Sequence, residues 1–243
     1  MIKNVCFKNI KFNNFQNKDF KKFFKNIGLF VFPSGPGLAS IKINSNYHLA
    51  LIRANYVFFD SGFFVLFLKL FKGIKVNKFS GYKFLDYFFN ESSVIKNKSI
   101  FSIDPDKENL KLNKKFLKKK GFKKVFNYLA PNYHTENILD KNLINKLNSI
   151  KPNYILINLG GGTQEILGYY LKKKLKLKTS IYCTGGAISY FTGKQAPINR
   201  FLDNLYLGWL IRILFNPRLF LYRYLVTFKF VITLLTSKIT INQ

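Results

Sequence analysis

The sequence predicts an α/β protein: a mostly parallel sheet with helices on both faces, carrying a helical, basic C-terminal appendage. Two observations carry this reading. Strand-like and helix-like runs alternate from residue 27 to 199, and repeated βα units pack as a parallel sheet covered by helices. From Arg200 onward the alternation stops, and the chain becomes aromatic, aliphatic and punctuated by arginine. Residues 1–26 are rich in Lys, Asn and Phe and read as an irregular or partly helical leader. The expected organisation is a leader over 1–26, an α/β domain over 27–199 and an appendage over 200–243.

The elements follow in order. Ile27 to Phe32 reads as a strand, followed by a turn over Pro33-Ser34-Gly35-Pro36-Gly37. Asn46 to Arg53 is a short helix, Asn55 to Phe59 a compact apolar strand, and Gly62 to Phe71 a helix ending near Gly73. Ser99 to Ile103 is a strand stopped by Asp104-Pro105-Asp106. Lys107 to Lys120 is a basic helix, closed by Gly121 as a glycine just past a helix end does. Phe122 to Leu129 is a strand, and Glu136 to Ile150 a helix with apolar residues at helical spacing. Tyr154 to Leu159 is a strand feeding Gly160-Gly161-Gly162, then Thr163 to Leu175 a helix and Thr179 to Cys183 a strand. Ligands of parallel sheets bind beyond the carboxyl ends of the strands. Asp60, Gly160 to Gly162 and Gly185-Gly186 are therefore expected on one rim.

Composition bounds the partners. The 243 residues are 48% hydrophobic, enough to build a core. A net charge of +29, from 40 Lys+Arg against 11 Asp+Glu, suits an anionic partner. Lys, Asn, Ile and Phe are abundant together, as in AT-rich coding, so part of the excess is compositional. Cys6 and Cys183 match no metal or redox spacing, and His48 and His134 make no metal site by themselves. No cofactor or metal is expected. Lysine interrupts Met1 to Asn26 throughout, unlike a signal peptide, which points to the cytoplasm. Ala54 to Phe71 holds Asp60 and Lys69, and Tyr224 to Thr236 is short and carries Lys229. Neither meets the length and charge limits of a crossing helix. The first reads as a buried strand plus helix, the second as an interfacial helix.

Asp60 is the leading catalytic candidate. A carboxylate after Tyr56-Val57-Phe58-Phe59 suits a general base, because partial burial brings its pKa toward neutrality. The same position suits an N-cap for the following helix. Gly160-Gly161-Gly162-Thr163-Gln164-Glu165 joins strand to helix, so its N–H groups can face a phosphate or sugar. It matches neither a Walker motif nor the dinucleotide fingerprint, and a plain tight turn is the alternative. Gln164 and Glu165 are placed to bind sugar hydroxyls. Thr184-Gly185-Gly186 repeats the arrangement after the next strand. Of five arginines, Arg200, Arg212, Arg218 and Arg223 lie in the appendage. Arginine grips phosphate through a planar fork that lysine lacks. Lipid head groups or water are the other partners such a surface helix meets.

These residues resemble the bacterial glycosyltransferase family 26, the WecG/TagA/CpsF family of N-acetylmannosaminyl and related transferases. The strongest part runs from Gly185-Gly186 through Phe191 and Gly193 to Ala196-Pro197, then Leu207-Gly208-Trp209-Leu210-Ile211-Arg212, Asn216-Pro217-Arg218 and Arg223-Tyr224. Upstream, Leu159-Gly160 with Gln164-Glu165 matches the family's Gly-x-Pro-Lys-Gln-Glu segment. Asp60 falls at its Asp-Gly, and Lys78-Phe79-Ser80-Gly81 at its Arg-x-Thr-Gly. The resemblance implies a Rossmann-like domain without a required metal, moving a sugar from a UDP donor to a polyprenyl-diphosphate-linked acceptor. It makes Asp60 the general base. It assigns substrate binding to Ser34, Lys78, Ser80, Gly160, Gln164, Glu165, Gly185, Gly186, Arg212, Arg218 and Arg223.

Departures from the pattern cluster around the donor sugar. Ser61 replaces the glycine after Asp60, Gly162-Thr163 the Pro-Lys, Lys78 an arginine, and Phe32-Pro33-Ser34 a Thr-Pro-Asn. Gly208 stands for a glutamate and Ser189 for an aspartate. Donor identity is thus the property the resemblance carries least. The expected protein is a cytoplasmic enzyme attached peripherally to an anionic membrane surface, with homo-oligomerisation open. The rival classes are a basic nucleic-acid-binding protein, for which no binding motif is present, and an inactive membrane-associated homologue. The family reading implies no nucleic-acid partner.

Overall fold

The computed structural model describes residues 3–15, 24, 26–195, 213–214, 217–218 and 229–242. The strands are β1 (Asn4–Phe7), β2 (Ile10–Asn13), β3 (Gly28–Val31), β4 (Tyr56–Phe58), β5 (Ser99–Asp104), β6 (Lys124–Leu129), β7 (Tyr154–Ile157), β8 (Ser180–Cys183) and β9 (Ile239–Asn242). Among the described residues they form one nine-stranded sheet in the order β6-β5-β7-β8-β3-β4-β2-β1-β9. From β6 to β2 every pairing is parallel, and β1 lies antiparallel between β2 and β9.

The helices are α1 (Gly35–Ala39), α2 (Asn46–Ile52), α3 (Gly62–Lys72), α4 (Gly81–Asn90), α5 (Ser92–Ile95), α6 (Lys107–Lys119), α7 (Lys141–Ile150), α8 (Thr163–Lys174), α9 (Ser189–Thr192) and α10 (Lys229–Thr236). A 3₁₀ turn, Gly185–Ile188, precedes α9. Alternate residues of the central strands enter two cores. Phe101, Ile103, Ile155, Ile157, Ile181 and Cys183 pack with α3, α7 and α8. Ile100, Tyr154, Leu156 and Tyr182 pack with Phe84 and Phe88 of α4 on the other face. The expected α/β class, with helices on both faces, is the fold observed.

Several boundaries need correction. Part of 1–26 is a hairpin rather than an irregular or helical leader. Val5, Phe7, Ile10 and Phe12 are fully buried, and Lys8 and Asn9 take positive φ at the turn. The turn at Pro33–Gly37 begins a helix instead, with Ser34 as its N-cap and proline in its first turn. The helix expected from Glu136 starts only at Lys141. Asp140 caps it through Leu143 N at 2.8 Å and is fixed by the Tyr128 and Tyr133 hydroxyls. Of Tyr224–Thr236, the described part is α10, and it is not purely interfacial. Phe230 and Leu234 are buried one turn apart, with Phe230 against Phe7 and Phe64, while Ile232 and Leu235 face out. β9 was not anticipated, and neither were α4 and α5. Segments expected to be separate thus share the sheet, since β1, β2 and β9 extend it. Among the described residues no helix is long and apolar enough to cross a membrane.

Candidate active site

Parallel strands bring their carboxyl ends to one rim, and the loops beyond them build the site. After β4, Phe59 O accepts from Phe79 N at 2.8 Å, which draws the segment leading to α4 alongside the strand. Gly81 then donates its N–H to Asp60 Oδ1 at 2.9 Å. Asp60 does not cap the helix that follows it. Ser61 does so, accepting from Phe64 N at 3.2 Å. The carboxylate instead sits at the N-terminal end of α4, where helical N–H groups favour negative charge. Ser80 caps that helix by accepting from Lys83 N at 3.1 Å. Lys78, half-buried, stands two residues before it.

The glycine turns after β7 and β8 are tied together by Gln164 and Glu165. Glu165 is fully buried at the start of α8, and its Oε2 accepts from Gly162 N at 2.7 Å. Gln164 Nε2 donates to Glu165 Oε1 at 2.9 Å, and Gln164 Oε1 accepts from Gly185 N at 2.6 Å. One chain of hydrogen bonds thus runs from Gly162 to Gly185. Both glycines need their residue type, with φ of 91° and 58°. A Cβ on Gly160 would meet nothing within 4 Å, and one on Gly161 would lie 3.7 Å from Ser34 Oγ. A Cβ on Gly81 would meet Thr184 O at 3.2 Å, so the start of α4 packs against the turn after β8. Gly186 faces Gln195.

Burial pushes the Glu165 carboxyl up to about 7, against the lowering effect of its hydrogen bonds, and the negative charge of Asp60 adds to the rise. Two carboxylates therefore share one rim, one half-buried and one sealed beneath it. Cys183 is equally buried. Its thiol is pushed far above its ordinary pKa and donates to Gln164 O, which fits a packing role.

The structure brings together Asp60, Ser34, Ser80, Gly160, Gln164, Glu165, Gly185 and Gly186, with Lys78 adjoining. Arg218 is exposed in the short described piece 217–218 and has no described contact with the rim. Arg212 and Arg223, with Arg200 and Trp209, lie outside the described residues.

Two features of the rim escaped sequence reasoning. The hydroxyl of Tyr47 in α2 borders Gly37, as does Ser34 Oγ. Asp104, at the end of β5, is fully buried and accepts from Ser102, Asn113, Asn127 and Asn158 at 2.7–3.1 Å. The available signal is polar Ser102 and Asp104 at period two on a strand whose other residues after Ser99 are apolar. In the sequence, Asp104-Pro105-Asp106 reads simply as a stop.

A parallel α/β sheet with a carboxylate and two glycine turns on its carboxyl rim defines a class of proteins that bind and transform small polar ligands there. The family is more specific. The profile of the glycosyl transferase WecG/TagA/CpsF family matches residues 2–243, and the chain belongs to that family. No curated protein matches the chain in a direct comparison.

Proposed function

We propose that the chain transfers a sugar from a UDP-sugar to a polyprenyl-diphosphate-linked acceptor at the membrane surface, in the building of a cell-surface polysaccharide. The observation that supports this most is the position of Asp60. It lies at the end of β4, held by the α4 N-terminus, on the rim that also carries the Gly160–Gly162 and Gly185–Gly186 turns. In this reading the acceptor hydroxyl oxygen attacks the anomeric carbon while its proton passes to the Asp60 carboxylate. The bond from that carbon to the UDP oxygen breaks, the electron pair leaves with UDP, and the anomeric configuration inverts. Gln164 and Glu165 act from below, fixing the two turns so that backbone N–H groups meet the donor. Arg212, Arg218 and Arg223 neutralise the departing diphosphate.

The test is UDP release over a panel of UDP-sugars of N-acetylmannosamine and glucose type, with a short-chain polyprenyl-diphosphate-linked acceptor. Release that requires both one donor and the acceptor is the expected outcome. Nucleic-acid binding without UDP release on any donor would replace this reading.

Membrane attachment is a second part of the proposal. Binding to anionic vesicles is expected to fall with salt and with joint replacement of Arg200, Arg212, Arg218, Arg223 and Lys229 by Gln, because each basic residue near such a surface contributes about 1 kcal/mol. Lysine in place of Arg212, Arg218 and Arg223 should keep vesicle binding, read by sedimentation, and lose donor affinity, since the charge stays while the fork goes. Equal behaviour of Lys and Arg in both assays would leave the appendage as an anchor only.

A further inference from the structure

The Tyr47 hydroxyl is buried and has no hydrogen-bond partner among the described residues, although the ring is partly exposed. Helix α2, which carries it, packs against α8, which carries Glu165, and the Tyr47 ring packs on the same core. The hydroxyl oxygen lies 2.8 Å from where a Cβ on Gly37 would stand, and Ser34 Oγ lies 3.4 Å from that point. The same Ser34 Oγ faces Gly161. Tyr47 O–H, Ser34 Oγ and the first glycine turn therefore border one small region.

Burial, with the charges of Glu165 and Asp60 close by, raises the Tyr47 pKa well above its ordinary value. The group is a donor that stays protonated. Its neighbours are already engaged: Glu165 accepts on both oxygens, and Ser34 Oγ accepts from Gly37 N. A buried hydroxyl with no partner is unfavourable, and the fold keeps it.

We propose that Tyr47 is a specificity-determining residue whose hydroxyl donates to a hydroxyl or carbonyl oxygen of the sugar carried by the nucleotide donor. The ligand part it meets is neutral. The negative charge of Asp60 close by disfavours a diphosphate here and tolerates an uncharged, oxygen-rich group. This assignment rests on the glycosyl-transfer reading above and adds to it the element that contacts the sugar rather than the nucleotide.

Tyr47→Phe removes the donor and keeps the ring. Two measurements test it. Thermal unfolding of the ligand-free proteins should show the variant as stable as wild type or more so. Calorimetric titration with UDP alone, UDP-glucose, UDP-N-acetylglucosamine and UDP-N-acetylmannosamine reads the contact itself. The variant should bind UDP within about two-fold of wild type and the preferred UDP-sugar about ten-fold more weakly. A clearly lower melting temperature overturns the proposal, because the hydroxyl would then have a partner within the protein. So does an unchanged affinity for the UDP-sugar, or an equal loss for UDP and UDP-sugar. Wild-type protein that prefers UDP-sugar to UDP, with a variant that does the same, sinks only the role of Tyr47. Wild-type protein that binds none of the four nucleotides overturns the donor reading and this assignment together.

Discussion

Replacing Asp60 by Asn is expected to lower turnover by about 10²–10⁴-fold, the usual effect of losing a general base, while leaving the fold in place. The local geometry explains the second half. Gly81 N donates to Asp60 Oδ1, and an Asn side-chain oxygen can accept the same bond, so α4 keeps its anchor. What Asn cannot do is take a proton from an attacking hydroxyl. Steady-state kinetics with circular dichroism and a melting curve separates the two roles. Turnover within a few-fold of wild type would leave Asp60 as the residue that seats α4 against β4, and the base would have to be sought elsewhere on the rim.

Glu165 carries the second large effect. Its pKa in the folded protein is about 7, raised from 4.5 chiefly by burial. The folded state therefore holds this proton more tightly than the unfolded chain. The stability it contributes is fully present below about pH 4.5 and is lost as pH rises through 7. The difference corresponds to about 3 kcal/mol at 1.36 kcal/mol per pKa unit. Urea unfolding of wild type and Glu165→Gln across this range reads it. The substituted glutamine keeps an acceptor for Gly162 N but sets its amide against the Gln164 amide, a cost that does not vary with pH. Wild type should lose about 3 kcal/mol relative to the variant between pH 4.5 and 8. Parallel pH profiles would mean that Glu165 stays ionised despite its burial. Asp60→Asn removes one cause of the rise, so in that variant the transition should move to lower pH.

The fold was legible wherever apolar runs were compact and punctuated. Tyr154–Ile157 before three glycines, and Lys107–Lys119 before Gly121, announced themselves by burial and by their terminators. The hairpin at the start was hidden because lysines and asparagines alternate with Val5, Phe7, Ile10 and Phe12, and that mixture read as a solvated leader. The helix α4 is masked in the sequence although Phe84, Leu85, Phe88 and Phe89 recur at helical spacing. Phenylalanine is so frequent in this chain that its periodicity stood out poorly.

The site was legible in part. The order of strands alone put Asp60 and both glycine turns on one rim. The bond between Asp60 and Gly81 links residues far apart in the chain, and no local pattern encodes it. From sequence Glu165 is expected to face a sugar, and its burial follows from the packing of α2 and β8 around α8, which only the assembled fold supplies. Tyr47 gave no signal at all, because an aromatic residue in a short helix is ordinarily core.

The pairing of β1 with β9 has a bearing on how the chain is made. Asn4 lies opposite Asn242 and Phe7 opposite Ile239, so one flank of β1 is filled by the strand that follows all the other described strands in the sequence. During synthesis that flank stays open while nearly all the intervening chain emerges. An open strand edge is a template on which nascent chains on neighbouring ribosomes can join. The strand is only four residues long, which limits such templating. Its last neighbour arrives with α10 attached, so Phe230 settles against Phe7 and Phe64 as β9 pairs with β1. Covering of the β1 edge and covering of α3 thus belong to one event, which waits for residues 229–242 to emerge.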